Sequence, residues 1–395
     1  MKIKYSLVFS FLLLFSCTNN STIGIKNEKK GKLIASHYLT PSATKRILID
    51  YETAPQPRYI QMIEDDSKIR ILTFYNEHNN SIYYYDYETG THIGKTDYDK
   101  EGPNGILSIL GYYIHNKDSI YVYNQPINEI ALTDSSGKVN QRISLKGDNR
   151  DGWYDYYPQY YFSTSVPIIK IKDKLVLTGL LYWSIPSETI DEFRFTATID
   201  IKTNNIEYIY RYPKELYGSN SNWEGGLWAL VCPELSPTGE IIHSFPTSHN
   251  LYIASWNSED YKTIYAGSNT ASTIHSLDWG GKSEKTPSEM IKVHFAQQDA
   301  YMAIRYDKYR NVYYRILLQG IPDATAGTTM TQKPIAVIIM DEYFNYMGET
   351  VIGTGEQWNW WNIFVTQEGL NIEYISKDDL DEDYMTFQIF TVEKL

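Results

Sequence analysis

Apolar and polar positions along this chain form short apolar runs separated by polar turns. In one clear case, residues 81–86 (SIYYYD) are rich in aromatic side chains, residues 87–90 (YETG) are polar, and residues 91–95 (THIGK) begin a second run. Runs of aromatic and β-branched residues on either side of an Asp, Asn, Gly or Ser turn predict a β-hairpin. The pattern is therefore typical of antiparallel strands.

The same strand–turn–strand pattern occurs five times, and each turn begins with an Asp or Asn. These residues are Asp86, Asp134, Asp200, Asn257 and Asp341, on average about 64 residues apart. That period is longer than a solenoid repeat and suits a four-stranded blade with variable loops, so we predict an all-β, six-bladed β-propeller. Seven blades would need a shorter period, and the uneven unit lengths also allow a pair of β-sandwiches.

The last predicted unit has three strands, at residues 363–366, 369–375 and 384–393, and then the chain ends. Two strand-like segments at the other end, Leu33–Leu39 and Arg46–Asp50, have no hairpin partner. Pairing one of them with the last unit would remove two open sheet edges at once. We therefore predict one propeller domain, residues 33–395, closed by an amino-terminal strand.

The first seventeen residues have the pattern of a bacterial lipoprotein signal. Lys2 and Lys4 precede an apolar run at residues 7–15, and Leu-Phe-Ser leads directly to Cys17. The run is about half of the roughly 20 residues that a membrane-spanning helix needs. We predict a signal at residues 1–17, lipidation of Cys17, a flexible tether at residues 18–32, and attachment to the cell envelope, at the outer membrane.

Composition limits the classes of partner and chemistry. The chain carries 48 acidic and 36 basic residues, a formal net charge of -12, and has no strong basic block, which argues against nucleic acid. Cys232 is the only cysteine besides Cys17, so the sequence predicts neither a disulfide framework nor a cysteine metal site.

Two signatures resemble a known family. Residues 100–106 (KEGPNGI) followed by 118–122 (DSIYV), and residues 306–316 (YDKYRNVYYRI), are similar to segments of DUF4221, a family of Gram-negative envelope lipoproteins with a domain of unknown function. The resemblance extends over roughly residues 48–395. It implies a six-bladed propeller and an envelope location, and it adds nothing on mechanism, because no activity or catalytic residue is established for the family.

The catalytic templates that we tested do not fit. Residues 90–96 (GTHIGKT) resemble a phosphate-binding loop but have three residues between the glycines where four are needed. Ser42 and Lys45 lack partner motifs, and the eight histidines never form a ligand-spaced pair on one predicted element. The acidic run at residues 378–383 lacks the glycine and the alternating ligands of a calcium loop. We predict no metal, no cofactor and no catalytic residue.

Aromatic clusters are the better functional lead. Residues 153–162 (WYDYYPQYYF) and 358–361 (WNWW) are dense in rings, and both lie between predicted hairpin units. Loops that link blades tend to surround the channel mouth, so these segments predict an aromatic platform for sugar rings or peptide side chains. An equal alternative is that the rings cover seams between blades. The candidate ligand-binding residues are Trp153, Tyr156, Tyr157, Tyr160, Trp358, Trp360, Trp361, Arg305, Arg310 and Arg315.

Three functions remain open from the sequence. The first is a non-catalytic module that binds a glycan, a peptide or an envelope protein. The second is a polysaccharide hydrolase or lyase that uses carboxylates, which a central pocket with two carboxyl groups about 5 to 9 Å apart would favour. The third is a spacer in an assembly, which a plugged channel would favour.

Overall fold

A computed structural model describes residues 22–64, 68–146, 157–181, 190, 192–218, 221–256, 258–277, 286–376 and 381–395. The predictions for Cys17, Trp153, Tyr156 and Asn257 lie outside these residues. No helix among them is long and apolar enough to cross a membrane.

The strands form six four-stranded antiparallel sheets, as predicted for the blades of a propeller. In the first five blades the strands follow one another in the chain: β3–β6 (Ile60–Glu64, Arg70–Asn76, Ser81–Asp86, His92–Asp97), β7–β10 (Ile109–Asn116, Ser119–Asn124, Glu129–Thr133, Val139–Ser144), β11–β14 (Ile169–Ile171, Lys174–Thr178, Thr196–Asp200, Ile206–Ile209), β15–β18 (Cys232–Leu235, Glu240–Ser244, Asn250–Ser255, Lys262–Tyr265) and β20–β23 (Ala300–Asp307, Val312–Leu318, Pro334–Asp341, Tyr346–Thr354).

Blade 6 joins the two ends of the chain. Its first three strands are β24 (Trp358–Val365), β25 (Leu370–Tyr374) and β26 (Tyr384–Lys394), and its outer strand is β2 (His37–Leu48). β2 pairs antiparallel with β26 from His37 opposite Lys394 to Leu48 opposite Tyr384. The predicted closure by an amino-terminal strand is confirmed, and one strand runs through both segments that the sequence indicated.

The first strand of each blade lies nearest the centre, because β20 contacts the first strands of both neighbouring blades. Connections between blades therefore emerge at one end of the ring, which we call the connection face. Turns between the third and fourth strands lie on the opposite face. Four of the five predicted turn residues lie in described turns of this kind: Asp86, Asp134, Asp200 and Asp341. In each, a side-chain oxygen accepts a backbone N–H two or three residues later, which stabilises the turn.

The core lies between the faces of neighbouring blades. For example, Leu72 and Phe74 of blade 1 pack with Phe364 and Phe387 of blade 6. Burial of one such side chain contributes roughly 1.5 to 3 kcal/mol, so each seam is a substantial source of stability.

The connections carry the helices and the remaining strands. These elements are α1 (Lys214–Tyr217), α2 (Ser288–Gln297), three 3₁₀ helices (Gln125–Ile127, Gly226–Ala229, Met330–Gln332), β1 (Gly24–Ile25) and β19 (Ile274–His275). β1 pairs with β19, and the Asn27 amide donates to the carbonyls of Ser268 and Ala271 at 2.8 and 2.9 Å. The described part of the segment that the sequence indicated as a flexible tether, residues 22–32, is thus held against the connection between blades 4 and 5.

Candidate functional site

The inner strand of blade 6 bulges into the channel. Asn359 pairs with Glu373, and the next register pair is Ile363 with Ile372, so residues 360–362 have no partner in β25. The bulge stacks the rings of Trp360 and Trp361 with centroids 4.1 Å apart. The sequence placed this aromatic segment in a loop between blades, and that placement is wrong, since the residues belong to β24.

A tight turn, Ser163–Val166, reaches this bulge from the connection between blades 2 and 3. Ser165 donates from Oγ to the Trp360 carbonyl at 2.8 Å and from its backbone N–H to the Trp361 carbonyl at 2.9 Å. Thr164 Oγ1 donates to Asn362 Oδ1 at 2.6 Å. Blades 3 and 6 are opposite in a ring of six, so the turn crosses the channel and plugs it at this level.

Arg305, on the inner strand of blade 5, contacts the Ser163–Val166 turn, which we call the plug. Its guanidinium donates to the Thr164 carbonyl, to the Ile363 carbonyl at 3.2 Å, and to Glu234 Oε2 at 3.3 Å. Burial raises the pKa of Glu234, and the positive charge of Arg305 opposes that rise. The arginine, which the sequence proposed for a ligand, is here 8% exposed and makes contacts within the channel.

Glu373 is a second carboxyl group in the channel wall. Its Oε2 accepts from the amides of Asn359 at 2.6 Å and Asn362 at 2.7 Å. Its Oε1 is buried without a hydrogen-bond partner among the described residues. Burial raises the pKa of Glu373 to about 8, although the two amides lower it, so the neutral acid predominates at pH 7.

The other predicted arginines make contacts within the fold. Arg315 is fully buried and donates to Ser244 Oγ and to four carbonyl groups at the end of blade 4, those of residues 248, 249, 250 and 266. Arg310 lies on the face opposite the connections, where it pairs with Asp307 at 3.0 Å and donates to the Glu368 carbonyl at 2.9 Å. The three arginines therefore do not share one surface.

The aromatic candidates also differ in exposure. Tyr160 is buried against Phe162, and Trp358 packs on Tyr374 while its Nε1 donates to the Ile352 carbonyl at 2.8 Å. Tyr157 and Trp361 are half-buried, and Trp360 is buried. Trp358 is also half-buried, so Tyr157, Trp358 and Trp361 are the described aromatic candidates that retain exposed surface, and their ligand role stays a prediction.

The connection face also carries an open polar cleft of about 880 Å³ between the amino-terminal segment and blade 5. Its lining includes two lysine ammonium groups, two hydroxyl groups and two amides, from Lys26, Lys30, Thr270, Ser272, Gln298 and Gln319. Asp299 braces the wall, because its two carboxylate oxygens accept the backbone N–H groups of Ser272 at 2.7 Å and Gly320 at 2.8 Å.

Sequence reasoning missed this cleft, and of the channel cluster it named Arg305, Trp360 and Trp361 but not Glu234, Glu373 or the turn at residues 163–166. Their members are far apart in the chain, and none has a motif. Among the described residues, no group of three or more His, Cys, Asp or Glu side chains is placed to hold a metal ion.

Six blades closed by an amino-terminal strand define the chain as a six-bladed β-propeller. It belongs to the DUF4221 family, a domain of unknown function, whose family pattern matches residues 37–351. This confirms the resemblance that the two sequence signatures indicated.

Two solved structures show the same fold. A DUF4221 member from Bacteroides vulgatus is 19% identical, with a TM-score of 0.78, over 91% of this chain and 99% of that one. A Bacteroides fragilis protein named "Putative exported protein" is 10% identical, with a TM-score of 0.58, over 90% of this chain and 95% of that one. A search of curated proteins found no match.

Proposed function

We propose that this protein is a non-catalytic binding module of the cell envelope, whose ligand is a glycan, a peptide or another envelope protein. The observation that carries the proposal is the polar cleft on the connection face, because its lining of lysine, hydroxyl and amide side chains surrounds a space of ligand size. The channel supports the non-catalytic part of this proposal alone, since the carboxyl groups of Glu234 and Glu373 bond to other parts of the fold.

A purely structural role is the second candidate, and the plug between Thr164 and Asn362 is the observation that favours it. Carboxylate catalysis has less support, because the carboxyl groups of Glu234 and Glu373 are bonded to Arg305 and to the amides of Asn359 and Asn362.

Binding to glycan and peptide arrays tests the proposal directly. The full chain in detergent should retain a subset of the probes, and the retained probes should be recovered chemically unchanged. Cleavage of a retained glycan would establish the enzyme alternative. Absence of binding on both arrays would favour the structural role.

We further propose that the protein is held at the outer membrane by lipid on Cys17. The signal-like sequence and the similarity of fold to a protein named as exported support this location. Two or more acyl chains give stable anchoring at about 0.8 kcal/mol per buried methylene.

Cys17→Ala should prevent lipid attachment in a Gram-negative host and leave an unprocessed precursor. Metabolic labelling with a fatty-acid analogue measures this, with Cys232→Ala as the control that keeps its label, because Cys232 is buried in β15. Equal labelling of the Cys17→Ala variant and the unaltered chain would contradict the proposal.

A further inference from the structure

We propose that the polar cleft binds an acidic oligosaccharide, with Lys26 and Lys30 contacting the sugar carboxylates. This inference rests on the proposed binding function and adds a ligand class and the residues that recognise it. The cleft lies where β1 and the turn after it meet β19, the end of α2 and the start of blade 5.

The charge of the cleft is opposite to that of the whole chain. Lys26 and Lys30 are both exposed, in a protein whose formal net charge is -12. The acidic side chain in the lining, Asp299, is already bound to two backbone N–H groups. Lys26 also lies 3.3 Å from Glu28, but each side chain is 70% exposed, and such surface pairs contribute little. The two lysines and the aspartate together give the lining one excess positive charge, opposite in sign to the charge of the whole chain.

The two ammonium groups mark separate points along the cleft. Lys30 Nζ donates to Ser272 Oγ at 2.7 Å, whereas Lys26 contacts Glu28. Asn27, between the two lysines, is buried and fixes the backbone that presents both of them. Two positive charges with different neighbours suit a chain with repeated carboxylates better than a single compact phosphate group, which needs donors that converge on one point.

The remaining lining suits sugar hydroxyl groups. The Gln298 side chain accepts from the His275 backbone N–H at 2.9 Å, and its NH₂ group remains a donor. Gln319 donates to Thr270 Oγ1 at 3.2 Å, and its carbonyl oxygen remains an acceptor. Hydroxyl groups both donate and accept, so a sugar matches this mixed set of amides and hydroxyls.

Titration calorimetry of the full chain in detergent tests the proposal with three probes: tri-galacturonic acid, neutral maltotriose and inorganic phosphate. We expect tri-galacturonic acid to bind, with a Kd that increases at least fivefold in the Lys26→Ala/Lys30→Ala variant and also increases with salt. We expect no detectable binding of maltotriose. The matched control is Lys29→Ala/Lys32→Ala, which removes two charges from the same segment. Lys29 lies over the Tyr265 ring and Lys32 donates to the Glu28 carbonyl, both outside the cleft.

Several outcomes would overturn the proposal. They are absence of tri-galacturonic acid binding, equal binding of maltotriose, binding of phosphate alone, or equal weakening by the two lysine pairs. Melting temperatures of all variants establish that each is folded. If an array ligand binds and Lys26→Ala/Lys30→Ala leaves its Kd unchanged, this inference fails while the proposed binding function stands.

Discussion

The channel and the cleft use similar polar groups in opposite ways. In the channel, Arg305, Asn362 and Glu373 are buried, and their bonds are to other parts of the fold. In the cleft, Lys26 and Lys30 are exposed on a segment whose own backbone is firmly held. Burial makes an unmet polar group expensive, whereas exposed groups exchange partners with water at little cost. The difference indicates that the polar groups of the channel stabilise the ring, whereas those of the cleft face solvent.

The largest expected effect comes from Arg305→Ala. The substitution leaves Glu234 without its positive partner and leaves the carbonyls of Thr164 and Ile363 without that donor. Breaking a buried ion pair in this way typically costs about 3 to 5 kcal/mol. We therefore expect a markedly lower melting temperature, measured by circular dichroism.

Arg142→Ala is the matched control, because Arg142 also pairs with a carboxylate, Glu129, and donates to two carbonyls, but on the outer surface of blade 2. It should cost about 1 kcal/mol or less. Equal losses of stability in the two variants would contradict the expected difference between buried groups in the channel and exposed groups on the outer surface.

Local chemistry explains which parts of this fold could be predicted. The turn at Asp86 forms within four residues, so its pattern is visible in the sequence and repeats once per blade. The pairing of β2 with blade 6 could be predicted because the last unit of the sequence has three strands and a four-stranded blade needs one more. In contrast, the plug joins Thr164 to Asn362 across 198 residues, and the amino-terminal segment is held partly by backbone bonds such as Gly31 N–H to the Asn269 carbonyl. Backbone bonds carry no side-chain signature, which is why the sequence indicated a tether.

A moderate effect is expected from the pH dependence that Glu373 imposes. Its pKa is raised from the usual 4.5 to about 8 in the folded chain, so the folded state binds the proton more tightly than the unfolded state. The stability that this group contributes is complete below about pH 4.5 and is lost as the pH rises through 8. Glu373→Gln keeps an acceptor for Asn359 and Asn362 and removes the titration. We expect it to stabilise the protein at pH 8 by on the order of 1 to 3 kcal/mol, measured as unfolding free energies at pH 5.5 and 8.

Glu368→Gln is a control for which we expect the opposite effect on stability at pH 8. Hydrogen bonding to Arg70 lowers the pKa of Glu368 to about 2, so this carboxylate stabilises the folded state above its ordinary pKa. Its removal should reduce stability at pH 8. If Glu373→Gln also reduced stability at pH 8, burial of the Glu373 side chain as described would be contradicted.

Apart from the control variants, the smallest change in stability is expected for Trp361→Ala, which truncates a ring in the bulge of β24. Trp361 stacks on Trp360 but remains half-buried, so truncation should cost less than the roughly 3 to 5 kcal/mol of a fully buried tryptophan. If this ring is part of an aromatic platform, the variant should also bind an array ligand several-fold more weakly, because ring contacts contribute on the order of 1 kcal/mol beyond their area. Trp256→Ala is the control, since Trp256 is another half-buried tryptophan, at the end of the third strand of blade 4 and near Lys174. Melting and Kd measured on the same samples separate the two roles of Trp361. A stability loss with an unchanged Kd would assign it to packing and leave the cleft as the site for ligands.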